Sequence, residues 1–343
     1  MMYTIKKAAR FVLSIIIVTA SLPLTAQQKT KQPRFNIKGT VTGFPDSTLL
    51  LLSNLADGSY KDIDSTFILN NRFSFTGFLT EKVEKLAVHT KDFKHRVAFW
   101  IDDTETMISA EKDKFRSATI QGAKAQRQNK ILDSIISNSK DPKADYIKFI
   151  QANPASIVSA NMLSIYSSTW NKDTVQMLYK QLDPTAKNTI YGKQIGDFLS
   201  LNRDIKIGSS YADFEQKNLS GQSVRLSDYK GKVVLLEFWG SWCLPCRQGH
   251  PELIKTYNTY KDKGFDILGV AAETDKQIFK KAIQEDGLPW QNVSDLKGDK
   301  NKAALIYGVS YYPANFLIDR NGIIIAKDVR GDKLKEKLKE IFE

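Results

Sequence analysis

Cysteine is almost missing from these 343 residues: there are two, Cys243 and Cys246, separated only by Leu244 and Pro245. A chain stapled by a disulfide framework would carry more of them, spread along its length. A bridge closing so short a loop removes little chain entropy and staples poorly. A structural zinc site needs about four ligands. One Cys-x-x-Cys supplies only part of such a set, and the histidines His89, His95 and His250 stand at no ligand spacing. With stapling and zinc both poor accounts of the pair, reactivity is the better one.

Long apolar runs are also lacking. A spanning helix wants about 20 apolar residues, and the run from Phe11 to Ala20 (FVLSIIIVTA) is broken by Pro23. It follows Lys6, Lys7 and Arg10, with no acid among them, and precedes Ala26, a small residue suited to cleavage. Residues 1–26 therefore read as an export signal, with an uncleaved membrane anchor as the alternative. A lipoprotein signal is excluded, because it needs a cysteine at the cleavage point. The expected location is the periplasm.

No low-complexity tract or long repeat is present, which argues against disorder and solenoid architectures. With 42% hydrophobic residues the composition is globular, and the length suits two compact domains plus connecting structure. The net charge of +12 falls to +9 without the three N-terminal cations, and the lysines are scattered among Asp and Glu. A solvated, mildly basic surface accounts for this better than a nucleic-acid or anionic-membrane site, and no nucleic-acid partner is expected.

Three patterns divide the rest. Over residues 34–121, short alternating runs (FNIKGTVT, STLLLL, STFIL, RFSFTG, KLAVH, RVAFWID, TMISA, SATIQG) predict an all-β sandwich or barrel, with a hairpin turn at Asn70-Asn71. Over 122–205 the spacing becomes helical. Ile131, Ile135 and Ile136 are expected to share one helix face, and Pro142, Pro154 and Pro184 punctuate the helices. This stretch is either a docking or dimerisation surface or a spacer packing the flanking domains together. Over 206–343 strands alternate with helices and end in a hairpin around Asn321-Gly322, predicting an α/β domain with a central sheet covered on both faces.

The chemistry centres on FWGSWCLPC, Phe238 to Cys246. The buried run VVLLEFW passes through a short turn into a helix whose first turn is expected to hold Cys243. The free amides and dipole at that end favour a thiolate, making Cys243 a nucleophile at neutral pH. Cys246, one turn deeper, is placed to attack the mixed disulfide and release product. Pro245 removes a backbone donor where no intrahelical acceptor awaits it.

This segment resembles the active site of the thioredoxin superfamily. The chain as a whole resembles exported TlpA/ResA-like thiol–disulfide oxidoreductases of the redoxin (AhpC/TSA) branch. Separate features agree in order over 206–343: FW-x-x-W-C-x-P-C, Pro251 at the family's helix kink, Tyr312-Pro313 before NFLID, and the lead-in NLSGQSVRLSDYKGKVVLLEFW. Residues 34–121 more diffusely resemble the β domain fused in front of such redox domains. The resemblance implies a cis bond at Pro313, with the Tyr312 backbone offering hydrogen bonds to an extended substrate segment. It implies that Trp242 covers the site and helps partners dock, and that Trp239 belongs to the core. Glu237, six residues before Cys243, falls at the family's buried acid, where a desolvated carboxyl of raised pKa would relay the proton when Cys246 attacks. Alanine often stands in the family at the position of Gly240, a small change.

For His250 a packing or surface role is favoured over catalysis. Arg247 either favours the thiolate or greets acidic substrates, or it lies on a solvated helix face. A peroxidase of the peroxiredoxin type would want Thr or Ser where Gly240 stands, so dithiol exchange is the expected reaction, with no cofactor and no metal. Leu244-Pro245, with no histidine beside Cys246, implies a reducing couple. The expected partners are disulfide-containing exported proteins, apocytochromes awaiting cytochrome c maturation among them, and a membrane thiol electron donor. A homodimer through the N-terminal or helical region stays open. The alternatives are a disulfide isomerase or oxidase, and a binding or scaffold protein whose N-terminal domain captures a partner.

Overall fold

The computed structural model describes residues 32–55 and 60–343; the export signal expected over residues 1–26 lies outside them. The first strands are β1 (Arg34–Thr42), β2 (Leu49–Asn54), β3 (Lys61–Phe67), β4 (Arg72–Phe78), β5 (Glu84–His89), β6 (Arg96–Ile101), β7 (Thr106–Glu111) and β8 (Thr119–Gln121). They form two sheets, β4-β1-β7-β8 and β3-β2-β5-β6. Alternate residues of each sheet, among them Phe35, Ile37, Leu50, Leu52, Phe75, Leu86, Val88 and Phe99, share one buried core, as period-two patterning requires of a sandwich. Gly39 occupies an inward position of β1, and the ring of its cross-strand partner Phe73 fills the space a side chain would need: a β-carbon there would lie 2.0 Å from it.

Asn70 and Asn71 do form the expected turn, both with positive φ (49° and 61°), and Leu69 and Arg72 exchange backbone hydrogen bonds of 2.9 Å. The hairpin goes no further, because β3 and β4 belong to different sheets. The flanking backbone groups are already committed. Ile68 pairs with Ser47 and Thr48 beside β2, whereas Val41 of β1 donates to Asn71.

Helices α1 (Lys124–Ser137), α2 (Pro142–Ala152), α3 (Ile157–Tyr166), α4 (Lys172–Gln181), α5 (Pro184–Lys187) and α6 (Ile190–Leu201) follow. Pro142 and Pro184 open α2 and α5 behind capping Asp141 and Asp183, using a position where no N–H is missed. The helices bury a core of their own, including Leu132, Phe149, Val158, Leu163, Leu178 and Phe198. The expected α1 face is corrected: Leu132 and, partly, Ile136 turn inward, while Ile131 and Ile135 are exposed. The pairs 131/135 and 132/136 are adjacent stripes of equal apolarity, and only the neighbouring core chooses between them. Trp100 of β6 joins that core, its indole N–H donating to Asn129 at 3.2 Å and its backbone N–H to Gln126 at 2.9 Å.

The last region contains β9 (Glu215–Asn218), β10 (Ser223–Arg225), β11 (Val233–Trp239), α7 (Leu244–Tyr260), β12 (Phe265–Ala271), α8 (Lys276–Asp286), β13 (Gln291–Ser294), α9 (Lys302–Tyr307), β14 (Ala314–Ile318), β15 (Ile324–Lys327) and α10 (Asp332–Phe342). The sheet order is β10-β9-β13-β12-β11-β14-β15, with β11, β12 and β13 parallel. Every residue of β11 is buried. Val234, Leu236 and Phe238 enter the core on one face of the sheet, and Val233, Leu235 and Trp239 the core on the other. This is the expected thioredoxin-like sheet. The helical region meets it where Arg203 N–H donates to Ile306 of α9 at 3.0 Å and the Asn202 side chain to Leu305 at 3.3 Å.

Trp100 is the large side chain that the sandwich lends to the helical core. Trp100→Ala should cost about 3–5 kcal/mol, and urea unfolding should show the helical region loosening ahead of the β11 sheet.

Candidate active site

The site forms where β11 runs out. The chain turns through Gly240, Ser241 and Trp242, with Cys243 N–H donating to Gly240 at 3.0 Å, and α7 starts at Leu244. Cys243 is therefore the N-cap, one position before the helical turn expected to hold it. Its sulfur accepts the Cys246 N–H at 3.3 Å. Cys243 and Cys246 are joined in a disulfide, and each is only 3% exposed. The Cys246 amide thus faces the Cys243 sulfur, and the positive end of the helix favours a thiolate there on reduction.

The turn is held by a residue that sequence reading passed over. Glu273, buried just beyond β12, accepts the Ser241 backbone N–H and, at 3.0 Å, its hydroxyl. The signal was an acid closing the apolar run FDILGVAAE. Asn292 was also missed; its side-chain oxygen accepts the Trp239 indole N–H at 3.0 Å.

Trp242 is 57% exposed and lies across the turn, its indole donating to the Ala272 carbonyl at 3.0 Å and its ring edge-on to Tyr312 at 5.3 Å. A β-carbon on residue 240 would meet that indole at 2.8 Å. With alanine there, this exposed ring would have to shift. The Tyr312–Pro313 peptide is cis, the form the resemblance implies.

Behind the disulfide is a cavity of about 80 Å³, lined by Cys246, Glu237, His250, Pro313 and Arg330 among others. A water needs roughly 10–15 Å³ of such space, so several fit. Glu237 is 5% exposed, and its Oε2 has no hydrogen-bond partner among the described residues. Burial pushes its pKa up to about 7, against the pull of Arg330 and the Asn315 side chain; Asp328 pushes the same way as burial. The six singled-out residues thus gather in two connected groups. Cys246, Glu237 and Pro313 line the cavity, and Trp242 and Tyr312 pack together beside Cys243.

Arg247 is corrected. It does not lie free on a solvated helix face: its guanidinium binds Asp286 (2.6–3.1 Å) and Glu285 (2.9 Å) on α8. His250 is buried, 2.7 Å from Asp286 and edge-on to Trp239 at 5.1 Å.

Residues 207–327 match the AhpC/TSA family, and residues 35–129 match a domain of unknown function, DUF4369. Thiol-disulfide oxidoreductase ResA of Bacillus cereus is 34% identical over 146 residues, spanning 43% of this chain and 82% of that protein. The ResA of Geobacillus thermodenitrificans is 36% identical over 155 residues, 45% of this chain and 84% of its own. Among solved structures, the thioredoxin domain of a thiol-disulfide oxidoreductase from Bacteroides vulgatus is 39% identical, covering 40% of this chain and 99% of that one at a TM-score of 0.39.

In the fold Glu237 keeps its proton to about pH 7, against an ordinary value of 4.5. Its contribution to stability is complete below the lower value and is lost as pH rises through the upper. The oxidised Glu237→Gln variant should gain on the wild type by about 3 kcal/mol between pH 4.5 and alkaline pH. Urea unfolding across that range checks this; a difference independent of pH would count against a protonated, buried Glu237.

Proposed function

The chain belongs to the ResA family of thiol–disulfide oxidoreductases, and on that premise we propose that it is a reductase of disulfides in exported proteins. The observation that carries the reading is the Cys243–Cys246 disulfide at the start of α7, flanked by cis-Pro313 and backed by the Glu237 cavity. In the reduced protein the Cys243 thiolate attacks a client disulfide, forming a mixed disulfide and releasing one client thiolate. Cys246 then attacks Cys243, the second client sulfur leaves as a thiolate, and the pair ends oxidised. Two electrons have passed to the client. Glu237 serves the second step from the cavity side, taking the Cys246 proton when ionised.

Clients approach along the rim of the site. Trp242 is 57%, Leu244 65% and Tyr311 52% exposed, an apolar surface suited to an extended, incompletely folded segment. The Tyr312 backbone offers that segment hydrogen bonds, as cis-proline loops do in the family. Apocytochromes held back by a disulfide, as in cytochrome c maturation, are clients of this kind.

The reducing direction rests on the Leu244-Pro245 pair and on the absence of a histidine next to Cys246 in the motif. A reductase outside the cytoplasm must be recharged, and a membrane thiol relay is the donor this implies. Export to the periplasm rests on residues 1–26, and no helix of the described residues is long and apolar enough to cross a membrane.

The reduction potential of the pair, titrated against glutathione or dithiothreitol, should lie nearer about −270 mV than about −120 mV. A value above about −150 mV would make the protein an oxidase or isomerase. In client-containing extracts Cys246→Ser should accumulate mixed disulfides through Cys243, and Cys243→Ser should form none.

A further inference from the structure

The cavity behind the disulfide is lined by a carboxyl and an imidazole, Glu237 and His250, and the function above uses only the carboxyl. Glu237 reaches it from β11, and His250 reaches it from α7, four residues beyond Cys246 on the same helix. His250 Nδ1 is 2.7 Å from the Asp286 carboxylate. That carboxylate can only accept, so the imidazole carries its hydrogen on Nδ1 and the lone pair falls on Nε2. Among the described residues no hydrogen bond engages Nε2. Asp286 is itself held by Arg247, and the imidazole is set edge-on to Trp239, so the ring has little freedom to turn.

We infer that His250, oriented by Asp286, is a proton acceptor for the Cys246 thiol in the resolving step. The inference rests on the dithiol reading of the site. The Cys246 proton passes to Nε2 through cavity water. The thiolate attacks the Cys243 sulfur of the mixed disulfide, the Cys243–Cys246 bond forms, and the bond from Cys243 to the client breaks. The departing client thiolate takes up the proton that His250 releases, so protons and electrons both balance. The logic is that of a carboxylate–imidazole–nucleophile relay, with the carboxylate setting the tautomer.

The charges around the ring define when this acceptor is needed. Asp286 bonds the ring from α8, Arg247 holds that carboxylate from the ring's own helix, and Glu252 of α7 lines the cavity with Glu237 and Arg330. Burial lowers the pKa of His250, opposed by its bond to Asp286. Burial pushes Asp286 up, but its bonds from Arg247 and His250 outweigh this and hold its carboxyl below the usual range. Below about pH 7 Glu237 carries its proton and cannot accept another. A neutral imidazole still can, which extends resolution into mildly acidic conditions.

The test is a stopped-flow measurement of both steps with the full chain and a disulfide-bonded model peptide. His250→Phe keeps an aromatic ring against Trp239. It should slow release of the mixed disulfide about ten-fold near pH 6 and less than about two-fold near pH 8.5, where Glu237 takes over. Attack by Cys243 should be unchanged at both. Asp286→Ala should show the same pH pattern in weaker form, and it carries the test if His250→Phe does not fold. Equal slowing at both pH values, or none, overturns the inference and leaves His250 a packing residue. If Cys243 fails to attack the peptide at all, the dithiol reading itself falls.

Discussion

Everything in the redox domain depends on where a strand buried on both faces is allowed to stop. β11 has no exposed residue, so its backbone groups must be satisfied by β12 on one side and β14 on the other, and it can end only where both neighbours end. Beyond Trp239 the chain turns sharply under Trp242, which lies against the bare Gly240. The Ser241 amide would be left unpaired by this turn, and Glu273 supplies its acceptor. The result puts Cys243 at the amide-rich start of α7, where its chemistry is favoured.

The same burial explains the acid. A carboxylate in the interior of this sheet loses its hydration, and the opposing pull of Arg330 and Asn315 restores only part of it. The cavity is the compensation: it gives Glu237 and Cys246 a shared, small, wettable volume in which a proton can move. Both cysteines are nearly covered while Trp242 and Leu244 stand out beside them. Apolar side chains thus form the outer surface of the site, and the two sulfurs lie beneath them.

The N-terminal sandwich and the helical region connect to this machinery through a few committed contacts. Trp100 passes from β6 into the helical core, and the end of α6 leads into backbone and side-chain bonds with α9. The helical region is therefore a packed unit with neighbours on both sides. Its exposed Ile131 and Ile135 show that an apolar stripe in sequence need not be a buried one.

The sequence by itself determined what local patterning can specify. Alternation marked the strands of the sandwich, the unbroken run VVLLEFW marked the central strand, and the Cys-x-x-Cys spacing beside Pro245 marked the redox pair. Asn70 and Asn71 declared a turn, because asparagine tolerates positive φ. Tertiary structure decided the rest, for a physical reason in each case. It chose which of two equal stripes of α1 faces inward, and it sent β3 and β4 into separate sheets by pairing their ends with different strands. It paired Arg247 with acids 38 and 39 residues away, and it brought Glu273 back to Ser241 across 32 residues. It also joined Glu237 and His250 at one cavity. Charge pairing and burial depend on which elements become neighbours, and no spacing along a chain contains that.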